Sequence, residues 1–240
     1  MVRKIESGVL ERTPITENSC LRQKLYPEQD TSKDPNDWCN NYDKILVERT
    51  IMDRTDLAST ILRLPAVYGP RDNQHRFSSY LNLKRMMDKR PFIIMDESFA
   101  NWRWAHSYVE NVALAIVLAL IDNRSSGRIF NVGEPVAHTI IDYVHEIGKK
   151  LGWDGEIVLA PKKILPEFLK FPLDTTQQLV MDSRRIREEL GYNEKVSWDD
   201  GLIRTIEWEL ENPPKKNNPK YRLEFDYEKE DEVLKEIGRR

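Results

Sequence analysis

The sequence predicts an α/β layer fold with mainly parallel strands, and three observations predict it. Short apolar runs rich in β-branched residues recur at 60–64, 91–95, 128–132 and 157–159. Segments whose apolar residues recur at helical spacing lie between them. The two kinds of segment alternate along the chain, as crossover connections between parallel strands require.

Residues 1–40 hold scattered turn formers, among them Thr13-Pro14, Asn18-Ser19 and Tyr26-Pro27, and read as an extended, loop-rich lead-in. From Asp43 the pattern changes. Ile45, Leu46, Ile51 and Met52 share one helical face, with Glu48, Arg49 and Asp53 around the rest. The run 60–64 is a buried strand by size, stopped by Pro65, and Tyr68-Gly69-Pro70-Arg71-Asp72 reads as loop. Residues 79–89 are helical by spacing, and 91–95 is a short strand.

The strongest predicted helix covers 109–121, with Glu110 and Asn111 in a first turn where acidic and amide groups suit free backbone N–H donors. Strand 128–132 and helix 139–151 follow, then strand 157–159 and a proline-punctuated stretch to Pro172. Two more helices are predicted at 183–190, ended by Gly191, and at 198–210, stopped by Asn212-Pro213-Pro214. The sequence divides into a lead-in at 1–40, a main part at 41–212 and a charged tail at 213–240, where 228–237 is expected to form a short exposed helix.

Composition removes whole classes of function. With 37 basic and 40 acidic residues the net charge is −3, so no field favours nucleic acid or an anionic membrane. The longest apolar stretch, 112–121, is roughly half of what a membrane span needs, and a cytoplasmic protein is expected. Cys20 and Cys39 form neither a disulfide framework nor a metal-ligand spacing; both read as free thiols, and no metal is expected.

Four segments, read together, resemble the second half of an extended short-chain dehydrogenase/reductase, the NAD-dependent epimerase/dehydratase group. Tyr42-Asp43-Lys44-Ile45-Leu46-Val47-Glu48 is similar to the helix that carries the family's active-site lysine. Leu62-Arg63-Leu64-Pro65-Ala66-Val67-Tyr68-Gly69-Pro70 resembles the strand and loop L-R-x-x-N-V-Y-G-P. Tyr108-Val109-Glu110-Asn111-Val112-Ala113 resembles Y-V-D-D-V-A, and Arg128-Ile129-Phe130-Asn131-Val132-Gly133 resembles the Y-N-V-G strand. Asp182, Leu190-Gly191-Tyr192 and Gly201-Leu202 through Trp208 are similar to the family's closing pattern, so the resemblance covers roughly residues 8 to 212.

The resemblance implies a partial Rossmann-like parallel sheet, the C-terminal half of that fold, with a smaller α/β substrate-binding part. It implies an NAD- or NADP-dependent epimerase, dehydratase or reductase acting on a sugar or nucleotide sugar, with a non-catalytic binding or regulatory member, or a fragment needing an upstream half, as the alternative, and it is compatible with a homodimer. In the family a lysine ammonium lowers the pKa of a tyrosine phenol that exchanges the substrate's proton, and bonds the nicotinamide ribose. Lys44 matches the lysine. The position four residues before it is Asn40, which cannot exchange a proton near neutral pH, while Tyr42 stands two before; Tyr42 is either an active-site acid or part of a solvated helix start.

Pro65, Ala66 and Val67 would run beside the cofactor, and Tyr68, Arg71, His75, Arg76 and Arg103 are the substrate-side candidates. Ala66 stands where relatives often place an amide. Trp104 stands where the phosphate-binding arginine would align, with Arg103 beside it. Arg103 serves either as an anion-binding fork or as a surface arginine stacked on Trp102 or Trp104. His75 lies in a polar cluster that either meets substrate or is solvated loop. The sequence contains no G-x-x-G-x-x-G turn, so tight cofactor binding by these 240 residues alone is not expected.

Overall fold

The computed structural model describes residues 10–27, 29, 34, 36–73, 75, 79–214 and 226–239. Among the described residues six strands form three parallel pairs. β1 (Thr60–Arg63) pairs with β5 (Arg128–Asn131), β2 (Ala66–Tyr68) with β4 (His106–Tyr108), and β3 (Phe92–Asp96) with β6 (Glu156–Ala160). Each pair is closed by a long connection, so helices come between partners: α1 (Lys44–Met52), α2 (Ser79–Met87), α3 (Glu97–Ala100), α4 (Val109–Ile121), α5 (Ile140–Leu151), α6 (Arg184–Leu190), α7 (Trp198–Glu211) and α8 (Tyr227–Glu236). The fold is α/β and Rossmann-like, and its three strand pairs among the described residues are parallel.

Local chemistry sets the helix ends. Thr139 caps α5 through a reciprocal bond with Asp142, and α5 and α6 stop at Gly152 and Gly191 in the left-handed conformation. Two close approaches fix the centre. Gly69 turns out of β2 at φ +136, and a Cβ there would come within 2.6 Å of Val109. Gly201 lets α7 lie against the Tyr108 ring, where a Cβ would stand 2.9 Å away.

The core has three parts. Tyr68 and Tyr108 pack with Ile147 of α5 and Leu202 of α7. Val112, Ala115 and Ala119 of α4 lie on Phe130, Val132 and Ile186. Ile94 and Val158 of β3 and β6 pack with Val233 and Leu234 of α8.

Two expectations are corrected. The loop read at 68–72 begins only at Gly69, because Ala66–Tyr68 is a strand in register with His106–Tyr108 and the Ala66 amide donates to the Ala105 carbonyl at 3.1 Å. The tail helix is not simply exposed: Glu230, Val233 and Leu234 are buried against the β3–β6 pair and α2. Alternating acids and lysines on its outer side hid a narrow apolar face.

Candidate active site

Asp43 organises the start of α1. Its Oδ1 accepts from the Ile45 and Leu46 amides at 2.8 and 3.3 Å, capping the helix. Its Oδ2 accepts from Arg22 Nη2 at 2.8 Å and from the Tyr26 amide at 2.6 Å, which ties the lead-in to the helix. Burial pushes this carboxyl up, but Arg22 and the three amides outweigh it and hold the pKa down at about 2. Asp43→Ala is therefore expected to cost about 2 kcal/mol in urea unfolding, the upper end for a lost cap, because an ion pair goes with it. Its contribution should be complete above pH 3.8 and fade as pH falls towards 2.

This cap places Lys44 on the first turn, exposed and with no ion pair to any described residue. Tyr42 lies before the helix rather than within it, with its ring edge-on to Trp38 at 5.1 Å. Both line one cavity of about 460 Å³, whose walls include Thr16, Cys20, Arg63, Leu64 and Asn131. The cavity opens along β1, and Arg63 and Asn131 are the carboxyl-terminal residues of β1 and β5, the end at which such sheets take ligands.

The cavity's polar wall is rigidly braced. Arg63 forks onto Glu48 of α1 at 3.0 and 2.7 Å, and its third nitrogen donates to the Glu17 carbonyl at 3.1 Å. Glu17 Oε1 accepts from the Asn131 amide at 2.8 Å. Ile15 bridges to Met181, its amide donating to the Val180 carbonyl, so the lead-in is held beside the sheet. A bidentate guanidinium–carboxylate pair fixes both side chains, and Lys44 is the lining cation with no ion pair among the described residues.

A second group of polar residues lies at the ends of β2 and β4. The Tyr68 phenol donates to Glu134 Oε1 at 2.8 Å, while Glu134 Oε2 is buried without a hydrogen-bond partner among the described residues. Burial pushes the Glu134 carboxyl up to about 7, and Glu194 adds to the shift. Burial also raises the Tyr68 phenol far above its ordinary range. His106 donates from Nδ1 to the Trp104 carbonyl at 2.5 Å, and burial depresses its pKa to about 4. The sequence reading singled out neither Glu134 nor His106; their one signal is that each lies beside a segment carrying the family pattern.

The other predicted positions are dispersed. Pro65, Ala66, Val67 and Tyr68 form or flank β2, with Ala66 and Tyr68 buried, and only the preceding Leu64 lines the cavity. Arg71 is exposed at φ +71. His75 is buried, donates to Glu209 of α7 at 2.5 Å, and lies against Trp208. Arg103 is exposed and donates to the Ala137 carbonyl at 2.8 Å. Arg76 lies outside the described residues. The structure thus brings Lys44 and Tyr42 together, and does not gather the substrate-side candidates around them.

The parallel α/β fold, with its cavity at the strand carboxyl ends, is that of a Rossmann-like protein. The sequence model of the 3-beta hydroxysteroid dehydrogenase/isomerase family matches residues 44–154. The chain is 29% identical over 147 residues to the Arabidopsis thaliana trifunctional UDP-glucose 4,6-dehydratase/UDP-4-keto-6-deoxy-D-glucose 3,5-epimerase/UDP-4-keto-L-rhamnose-reductase, covering 61% of this chain and 20% of that protein. It is 28% identical to the dTDP-glucose 4,6-dehydratase of Streptomyces niveus, over 60% of this chain and 40% of the relative.

Among solved structures, UDP-glucuronic acid 4-epimerase from Bacillus cereus, in complex with NAD, aligns with TM-score 0.56 and 19% identity, covering 82% of this chain and 56% of its own. UDP-glucose 4-epimerase from Thermotoga maritima aligns with TM-score 0.54 and 23% identity, covering 69% and 50%. By these likenesses the chain is similar to the extended short-chain dehydrogenase/reductase family. It spans between 20% and 53% of the length of the first curated relatives it matches.

Proposed function

We propose that this chain forms the substrate-side part of an NAD(P)-dependent epimerase, dehydratase or reductase whose substrate is a nucleotide-linked sugar. The observation that carries this reading is Lys44, presented without an ion-pair partner among the described residues into the cavity it shares with Tyr42. An ammonium there suits the hydroxyls of a nicotinamide ribose, and Tyr42 supplies the phenol that Asn40 cannot. When bound, the nicotinamide supplies the hydride acceptor or donor. Lys44 would hold the ribose and lower the Tyr42 pKa, so that the phenolate can take a proton from a sugar hydroxyl.

Pro65, Ala66 and Val67 would wall the cofactor side through β2. Arg71, Arg76 and Arg103 are the proposed cations for a substrate diphosphate, a role for which guanidinium groups are suited. Tyr68 and His75, both buried, would act by positioning the segment between them.

The relatives named above act, by their names, on UDP- and dTDP-linked hexoses, which sets the panel to test. Titration of the chain with UDP-, dTDP- and GDP-hexoses should raise its melting temperature for at least one; no shift with any would overturn the substrate class. In a fusion with a glycine-rich dinucleotide-binding half, Lys44→Ala and Tyr42→Phe should each cut turnover by about 100-fold or more. Unchanged turnover in both would remove these residues from the reaction.

A further inference from the structure

Two acids lie within four residues of Lys44, Asp43 and Glu48, and each is held by an arginine. Asp43 stands beside it, with one oxygen on the α1 amides and the other on Arg22 and the Tyr26 amide. Glu48 is the stronger rival for its charge. Residues four apart on a helix are surface neighbours, and Lys44 and Glu48 line the same cavity, so they share a face of α1. Yet Lys44 forms no ion pair with a described residue, while Arg63 of β1 forks onto both Glu48 oxygens at 3.0 and 2.7 Å.

We propose that Arg63 is a positioning residue for Lys44: by forking onto Glu48 it occupies the acid that would otherwise draw the Lys44 ammonium back onto α1 and out of the cavity. A guanidinium suits that task, because its planar fork satisfies both oxygens of a carboxylate at once, where an ammonium meets them as a point charge. Arg63 is itself held in place. Its Nη1 donates to the Glu17 carbonyl at 3.1 Å, and its backbone is in register with Asn131 at the end of β1.

Burial makes the competition strong. The Arg63 and Glu48 side chains are each 10% exposed, so a Glu48 carboxylate without Arg63 would have little water to screen it, and the cation one turn away would move to it. The pair therefore sets the charge of the cavity as well as its shape, keeping a separate positive charge at Lys44. What that ammonium then does rests on the function proposed above; that Arg63 keeps it unpaired rests on the contacts alone.

Trace acetylation of the 240-residue chain at fixed pH, read by peptide mass spectrometry with exposed Lys163 as internal reference, measures how available the Lys44 amine is. Arg63→Met should slow Lys44 labelling about fivefold or more, because an ammonium beside a carboxylate gives up its proton less readily. Arg63→Met with Glu48→Gln should return labelling to within about twofold of wild type, although the fork stays broken. A brace that only held α1 in place would show no such recovery, and local unfolding would speed labelling rather than slow it. If Arg63→Met has no melting transition, Arg63→Lys takes its place: one ammonium cannot cover both oxygens, so labelling should slow by about twofold or more.

Unchanged labelling in the folded single variant would overturn the proposal, and so would a double variant as slow as the single. Turnover in the fusion with a dinucleotide-binding half separates this outcome from the function it serves. There Arg63→Met should cut turnover about tenfold, with most of it recovered in the double variant. If labelling follows this course while turnover does not move, Arg63 isolates the Lys44 charge as proposed and Lys44 has no part in the reaction.

Discussion

Glu230→Ala is expected to destabilise the chain by about 3–5 kcal/mol in urea unfolding, more than any exposed substitution on the same helix. Arg85 of α2 and Glu230 of α8 are 3% and 1% exposed, and Arg85 Nε lies 3.1 Å from both carboxylate oxygens while Nη2 bonds Oε1. Removing the carboxylate takes from a buried guanidinium the charge onto which it forks. The attraction within such a pair roughly offsets its desolvation, so the pair itself contributes little net stability while its breakage is costly.

A double variant makes that distinction measurable. Arg85→Met with Glu230→Leu should be close to neutral, while each single change is severe. Glu228→Ala, exposed on the same helix, should stay within about 0.5 kcal/mol of wild type. If Glu230→Ala also stayed within that range, α8 would not be docked as described. Further bonds from Tyr227 to Asp88 and from Arg90 to Asp231 tie α8 to the end of α2, so the pair is the centre of a wider contact.

What the sequence made legible was whatever is local. α4, α5 and α7 begin and end within two residues of expectation, and α1 begins so, because caps at Asp43, Thr139 and Ser197 and the glycines after α5 and α6 are set by near neighbours. The strands at 60–63, 92–96, 128–131 and 156–160 were readable because each is a compact apolar run. β2 and β4 were not, since three residues between Pro65 and Gly69, or beside Trp104, become strand only by pairing with each other.

The candidate site divides along the same line. Lys44 and Tyr42 were legible because both sit at one helix start. His75 read as either a substrate contact or a solvated loop residue, because its partner, Glu209, is 134 positions away. The tail looked solvated for the same reason: Arg85 and Glu230 are remote in sequence, and each alone reads as a surface charge. Arg63, Glu48 and Glu17 likewise became one brace only when the lead-in folded back on β1.

Glu134 should make the chain less stable as pH rises from about 4.5 to about 7. Its carboxyl is raised from 4.5 to about 7 in the folded chain, so within that window the native state holds a proton that the unfolded state has released. Unfolding then releases a proton, and by linkage the unfolding free energy falls with pH. The contribution is present below 4.5 and lost as pH passes through about 7, with a ceiling of about 3 kcal/mol at about 1.4 kcal/mol per unit. His106 acts in the opposite sense. Lowered from 6.5 to about 4 by burial, it binds its proton more weakly when folded, so its stabilising contribution grows as pH rises between those values. The wild-type profile sums both slopes, and the informative quantity is the difference between wild type and Glu134→Gln. The amide oxygen can still accept from the Tyr68 phenol, so Gln keeps the bond and removes only the titration. Urea unfolding at a series of pH values from 4.5 to 8 should show Glu134→Gln gaining on wild type throughout that window and levelling off above about 7. A flat difference would mean that Glu134 is ionised in the fold at the pH of an ordinary carboxylate, and that its buried oxygen is satisfied by solvent.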